Sequence, residues 1–229
     1  MHVGIIMDGN RRHARGLGEI AYTGHSKGYE TLKRLLEDLS KDDLGIRELT
    51  LYAFSCENFR RDEKELEHSF NLFRHALSEL QNAEERRPNV KGALRFVGRL
   101  DLFPDDIRDA MLKVNETYTE EGVRINFLAA YNGQDEIVDA TRRIVKRGLH
   151  ASDIDRTTIR ENSYLPDSQP VDLVIRTGME DGARLSGFML YHASYAELVF
   201  LEDYWPEFTH AKLKTCIDEF KERNRRFGR

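Results

Sequence analysis

His2-Val3-Gly4-Ile5-Ile6-Met7-Asp8-Gly9-Asn10-Arg11-Arg12 reads as a strand that runs straight into a ligand-gripping turn. Val3 to Met7 is a short, nearly continuous apolar run, the pattern of a strand buried on both faces. Its C-terminal end delivers a carboxylate, a glycine, an amide and two guanidinium groups in immediate succession. In open α/β sheets ligands bind just beyond the carboxyl ends of the strands, so chemistry is expected here. One carboxylate beside two arginines suits a metal-bound polyphosphate: Asp8 would hold Mg²⁺ while the arginines take phosphate oxygens.

The same alternation continues along the chain. Strands are expected at Val3 to Met7, Glu48 to Phe54, Leu94 to Val97, Arg124 to Ala130, Asp172 to Arg176 and Ala196 to Leu201. Helices are expected at His25 to Leu39, Lys64 to Glu85, Asp105 to Glu120, Asp135 to Arg147 and Thr209 to Arg225. Repeated βα units with apolar strands predict an α/β fold: a largely parallel central sheet flanked by helices on both faces. The 229 residues fit one domain, 1–229. The irregular stretch Asn162 to Pro170 is too short to be a linker.

Bulk composition narrows the function. A net charge of -5 argues against a general nucleic-acid binder, which carries a basic excess. No apolar run approaches the ~20 residues that span a bilayer, and no signal peptide precedes the first strand. Cys56 and Cys216 have no metal-ligand spacing and read as reduced thiols of a cytoplasmic protein, neither of them a nucleophile. A hydrophobic substrate remains compatible with all of this. In the second long helix, Leu66, Phe70, Phe73, Leu77 and Leu80 form one apolar stripe that either packs the core or lines a greasy tunnel.

Two further constellations lie at strand ends. Ser55-Cys56-Glu57-Asn58-Phe59-Arg60-Arg61 follows the second strand, and Arg176-Thr177-Gly178 with Arg184 and Ser186 precedes Glu197. Any one arginine-rich turn is usually a solvated loop. Basic groups gathered at several strand ends of an acidic chain point instead to an anion with more than one phosphate. There is no GxxxxGK[ST] loop, no GxGxxG after a strand and no GxSxG elbow, so nucleotide binding and Ser-His-Asp hydrolysis are not supported.

In order, MDGNRR (7–12), GHSKG (24–28), LYAFSCENFRR (51–61), VDLVIRTG (171–178) with Arg184 and Ser186, and SYAEL (194–198) resemble the cis-prenyltransferase family of undecaprenyl and dehydrodolichyl diphosphate synthases. The likeness runs from Val3 to Arg226-Phe227-Gly228. It implies a Mg²⁺-dependent enzyme that lengthens an allylic prenyl diphosphate with isopentenyl diphosphate, forms a Z double bond and releases pyrophosphate. It also implies a hydrophobic substrate tunnel. Asp8 and Glu197 would then hold the metal, with Asp8, Asn10 and Asn58 at the reacting end. Gly9, Arg11, Arg12, His25, Ser55, Phe59 and Arg61 would serve the allylic diphosphate, assisted by backbone amides. Arg176, Arg184 and Ser186 would serve the isopentenyl diphosphate. In this family a C-terminal Arg-x-Gly reaches the partner's site, so Arg226 and Gly228 imply a homodimer. Release of a long product leaves peripheral membrane contact open. Two of these residues have plainer alternatives: His25 as a helix cap and Glu197 as a structural ion-pair partner.

The chain departs from the family pattern at several points. Ala21 stands where bacterial synthases commonly carry a further arginine, His13 replaces an aromatic, Phe59 replaces a Trp and Gly187 replaces an Asn. The stretch Met179-Glu180-Asp181-Gly182-Ala183 is about two residues longer than the common spacing before Arg184. Ala21 and the altered loop before Arg184 motivate an alternative, the irregular condensation of two allylic diphosphates with dimethylallyl diphosphate as acceptor. A non-catalytic partner subunit is a third reading, against which Asp8 and Arg12 both stand. Ala53 leaves room for a long product and Phe70 and Phe73 could plug the tunnel, so product length stays open.

Overall fold

In the computed structural model the described residues are 1–82, 92–118, 122–180 and 182–227. Strands β1 (His2–Ile6), β2 (Glu48–Ser55), β3 (Leu94–Val97), β4 (Arg124–Tyr131), β5 (Leu173–Arg176) and β6 (Glu197–Phe200) form one sheet in the order β3-β4-β2-β1-β5-β6. Every pairing is parallel. The expected sheet is therefore correct, with no strand end moved by more than one residue. All of β1 and nearly all of β4 are buried, because helices cover both faces of the sheet.

Helices α1 (Asn10–Gly16), α2 (Gly24–Leu39), α3 (Glu63–Asn82), α4 (Asp105–Thr117), α5 (Gly133–Lys146), α6 (Arg156–Glu161) and α7 (His210–Phe227) supply that cover. The expected ends of α3 and α4, Glu85 and Glu120, lie outside the described residues. Two helices were not expected. The first, α1, is a short polar run with no apolar stripe to betray it. The other, α6, is set by Asp155, whose carboxylate accepts the Thr158 N–H at 2.8 Å.

One core lies between the sheet and α2, α3, α4 and α7, and includes Leu35, Leu77, Ile107, Met111 and Ile217. A smaller one on the opposite face includes Leu128, Val174, Phe188 and Met189. The N-terminal ends of the strands are pinned by buried polar contacts. Asn126 Nδ2 donates to Glu48 Oε1 at 2.7 Å, and His2 Nε2 meets Thr50 Oγ1 at 2.8 Å. At the other end the strand order reverses between β1 and β5, which opens a crevice just beyond the paired strand ends Ile6 and Arg176.

Candidate active site

Asp8 enters that crevice immediately after β1. Its Oδ2 lies 2.8 Å from Arg176 NH2 at the end of β5, its Oδ1 accepts the Gly9 N–H at 2.6 Å, and Arg12 NH2 approaches Oδ1 at 3.3 Å. The side chain keeps about a third of its surface in solvent (35 %), whereas Arg176 is 5 % exposed. Gly9 makes this turn with φ 98°, a left-handed conformation that favours glycine. A Cβ there would also stand 2.6 Å from the Tyr204 ring. Asn10 starts α1, donates from Nδ2 to Met7 O at 3.1 Å, and keeps its buried Oδ1 without a hydrogen bond.

The GHSKG motif explains itself by packing. A Cβ on Gly24 would sit 2.0 Å from Asn10 O, and one on Gly28 would sit 2.2 Å from Asn10 Oδ1. The bare face of α2 thus lets that helix close on the start of α1. His25 then points at the 56–60 turn, where Arg61 NH1 donates to its Nε2 at 3.3 Å. No side-chain cap closes the N-terminus of α2, so the capping alternative for His25 fails.

Ser55 and Asn58 cap the short 3-10 turn Cys56–Arg60, with Ser55 N–H donating to Asn58 Oδ1 at 3.0 Å. Both side chains, with Arg61, face the central cavity. Phe59 does not. Its ring packs on Phe54, Phe70 and Phe103 at centroid distances of 5.0, 6.3 and 5.4 Å, so this candidate substrate contact is spent on the core. Cys56 Sγ donates to Ala130 O at 3.2 Å, and burial pushes its pKa up to about 11, which keeps it a neutral thiol as expected.

Arg176 is oriented by three acceptors: Asp8, Ser186 Oγ at 2.7 Å and Arg184 O at 2.5 Å. Arg184 therefore meets Arg176 through its carbonyl while the residue itself is exposed. Ser186 holds φ 49°, an uncommon conformation for a residue with a side chain, next to Gly187 at φ 79°. The longer preceding loop reaches across the site through Glu180, whose carboxylate accepts from Tyr204 OH and lies 3.9 Å from Arg12 NH1. Arg12 also sits over the Tyr204 ring, 5.5 Å from its centroid.

Glu197 does not join this group within one chain. It opens β6 in register with Leu173, whereas Arg176 pairs with Phe200, so it stands ~10 Å along the strands from the crevice. There its carboxylate takes Arg223 Nε at 2.7 Å, the structural ion pair that was its plainer alternative. Arg226 belongs to α7, but its side chain, like Gly228, lies outside the described residues.

Sequence reasoning missed Glu65. This carboxylate on α3 is 3 % exposed and lies 3.3 Å from both Arg11 NH2 and Arg61 Nε. The signal was present as the acidic residue four after Arg61, on the polar side of the apolar stripe. It ties Arg11 of α1 to Arg61 of the turn beneath a common cavity.

That cavity is about 810 Å³ and changes character along its length. Asp8, Asn10, His25, Arg61, Arg176 and Ser186 form its polar mouth. Leu32 and Leu36 of α2, Leu72, Phe73, Ala76 and Leu80 of α3, and Phe54, Phe96 and Phe127 of the sheet form its apolar body. The stripe on α3 is thus divided: Phe73 and Leu80 line the cavity, while Leu77 is buried in the core. Ala53 also faces the space.

A family model described as "Putative undecaprenyl diphosphate synthase" matches residues 6–228. The chain belongs to this cis-prenyltransferase family. It is 43 % identical to the tritrans,polycis-undecaprenyl-diphosphate synthase (geranylgeranyl-diphosphate specific) of Methanopyrus kandleri, over all of this chain and 84 % of that one. It is 37 % identical to the ditrans,polycis-undecaprenyl-diphosphate synthase ((2E,6E)-farnesyl-diphosphate specific) of Buchnera aphidicola, over all of this chain and 90 % of the other. Among solved structures, lavandulyl diphosphate synthase from Lavandula x intermedia, in complex with dimethylallyl diphosphate, superposes with a TM-score of 0.85 at 27 % identity. That match covers 96 % of this chain and 94 % of the other. A probable undecaprenyl diphosphate synthase from Campylobacter jejuni superposes at 0.78 with 31 % identity, covering 100 % and 98 %. A cis-prenyltransferase transfers prenyl groups between diphosphates, and the cavity described above has both ends that such chemistry needs.

Proposed function

We propose that this cis-prenyltransferase condenses an allylic prenyl diphosphate with isopentenyl diphosphate in the regular, head-to-tail manner. The observation that carries the reading is one cavity whose mouth gathers Asp8, Arg61 and Arg176 and whose body is apolar. Diphosphates belong at the mouth and the prenyl chain in the body. In the reaction the allylic C–O bond breaks with its electron pair on the diphosphate. A C–C bond forms to the isopentenyl unit, which then loses a proton. Arg11, Arg12, His25 and Arg61 with the amides near Gly9 serve the allylic diphosphate, and Ser55 and Asn58 border the reacting carbons. Arg176, oriented by Ser186, serves the isopentenyl diphosphate, with Arg184 closing from the loop.

Magnesium fits the residues present. Among the described residues no three His, Cys, Asp or Glu gather as a metal cage. Mg²⁺ is commonly held by one or two carboxylates plus substrate phosphates. Asp8 supplies such a carboxylate, and Asn10, two residues on, keeps a buried Oδ1 without a hydrogen bond. The bound ion would offset charge on the departing diphosphate. Glu197 would reach a mouth only across a partner, and the family likeness assigns Arg226-x-Gly228 to a partner's site, so we take the working unit to be a homodimer of one-domain chains (1–229). Tyr195, 90 % exposed, and Leu198 at the edge strand β6 support such a contact.

Among the described residues no helix is long and apolar enough to cross a membrane. We place the enzyme in the cytoplasm, touching membranes peripherally when product leaves. Incubation with labelled dimethylallyl, farnesyl or geranylgeranyl diphosphate, each with and without isopentenyl diphosphate, tests the reading. Product is expected only when isopentenyl diphosphate is present. Product from dimethylallyl diphosphate alone would establish the irregular condensation instead.

A further inference from the structure

The side wall of the cavity between α2 and α3 is closed by polar side chains. From α2, Tyr29 OH donates to the Glu79 carboxylate of α3, and Lys33 Nζ donates to Glu79 Oε1 at 3.1 Å. Tyr29 and Lys33 line the cavity on their inner side. On the outer side the Lys33 and Glu79 side chains are 36 % and 40 % exposed. The contact therefore separates prenyl space from water by a single layer of side chains. His75, one turn before Glu79, closes on the Tyr29 ring edge-on at 5.9 Å. Nearer the mouth the same seam is tied once more, by Ser26 Oγ and His68 Nε2 at 3.2 Å.

Lys33 is anomalous as a tunnel residue. The cavity-facing positions of α2 around it, Leu32 and Leu36, are apolar. Lys33 is accommodated because its ammonium turns out to Glu79 while its stem covers apolar surface. An ion pair this exposed contributes little to the fold. Apolar burial by a growing chain acts on the same wall and increases with every C5 unit added. The wall is thus the part of the cavity where side-chain contacts, rather than backbone, decide whether the seam stays closed.

The cavity is about 810 Å³, and its length decides where a growing chain meets this wall. The lining of α2 from His25 to Leu36 runs ~16 Å at 1.5 Å per residue, as does that of α3 from Ser69 to Leu80. A chain that outgrows this length presses on the α2–α3 seam, because close-packed interiors leave little slack elsewhere.

We propose that the Tyr29–Glu79–Lys33 clasp determines product length by holding the α2–α3 seam shut against the growing prenyl chain. The inference rests on the prenyl-elongating function proposed above. Chromatography and mass spectrometry of products from geranylgeranyl and isopentenyl diphosphates test it in wild type, Glu79→Ala, and the milder Lys33→Met. Glu79→Ala should shift the dominant product to chains longer by one or more C5 units, and Lys33→Met should do so to a lesser degree. The KM for geranylgeranyl diphosphate should stay within twofold, because both residues lie beyond the polar mouth. A product distribution identical to wild type, or a shorter one, in folded Lys33→Met overturns the clasp even if Glu79→Ala fails to fold. Wild-type protein that forms no prenyl product at all would reject the function itself, a result separate from an unchanged length.

Discussion

Arg61 donates a hydrogen bond to His25 Nε2 at 3.3 Å, and this direction fixes the imidazole as neutral with its proton on Nδ1. The 3.6 Å approach of the same nitrogen to Glu65 is therefore a contact without an ion pair. Burial, then Arg61, His68 and Arg11, push the His25 pKa down to about 3 from an ordinary 6.5. The unfolded chain takes up the proton first, so the stability tied to neutral His25 is complete above pH 6.5 and is lost as the pH falls toward 3. Urea unfolding of wild type and His25→Asn should show it. Wild type is expected to weaken more steeply than the variant from pH 6.5 down to about pH 5, above the range where most carboxylates titrate. Parallel curves would mean that the ring titrates normally.

Glu65 should act on catalysis without touching substrate. Glu65→Gln leaves Arg61 and Arg11 without the buried counter-charge that holds them 3.3 Å away. Loss of one member of a fully buried pair costs ~3–5 kcal/mol; here ~2 kcal/mol is expected, because Arg11 is 42 % exposed. The KM for the allylic diphosphate should rise together with a fall in kcat, and Glu65→Asp should recover part of both. Normal kinetics in a destabilised Glu65→Gln protein would restrict the residue to a structural role.

Asp8 joins the metal question to the crevice. Asp8→Asn preserves the shape that accepts the Gly9 N–H but removes the charge facing Arg176 and Arg12. Turnover should fall ~10²-fold or more, the scale seen when a charge-stabilising group at a reacting centre is removed. The fold should survive, because the side chain is about one third exposed (35 %). Steady-state rates across a MgCl₂ titration check this, and an unchanged metal requirement at a full rate would remove Asp8 from metal binding.

What was legible from the sequence depended on range. Val3 to Met7 announced a buried strand because its own residues suffice to specify one, and Asp8 at its end followed from the rule of strand ends. The positions of Ser55, Asn58 and Arg61 were likewise local consequences of β2. Phe59 could not be placed that way. Whether its ring faced substrate or core depended on Phe103 and Phe70, which a linear reading does not bring near it. Glu197 could not be placed that way either: register sets it at the far end of β6, against Arg223 rather than Arg176 of its own chain. α1 escaped because its seven residues include only one apolar side chain, Ala14, and so carry no apolar period. Its helix is stabilised by tertiary packing of Gly24 and Gly28 against Asn10.

Arg184 offers a test of the two-substrate division. Its carbonyl helps to hold Arg176, so Arg184→Ala should leave that contact in place while removing the exposed guanidinium. The KM for isopentenyl diphosphate should rise with kcat little changed, as expected for an interaction shared by ground and transition states. A rise confined to the allylic KM would exchange the assignments of the two diphosphates.

Phe70 and Phe73 lie three residues apart on α3 yet should fail differently when truncated. Phe73 lines the cavity and also packs on Phe103 at 5.2 Å, whereas Phe70 meets Phe59 and Phe103 and does not border the cavity. Phe73→Ala adds its ring volume to the prenyl space, so products should lengthen even at some loss of stability. Phe70→Ala leaves its void in the core instead, with a loss of up to ~3 kcal/mol because the ring is only partly buried. Product chromatography beside thermal unfolding separates them. If Phe70→Ala lengthened products and Phe73→Ala did not, the prenyl chain would have to run on the other side of the α3 stripe, between Phe70 and Phe59.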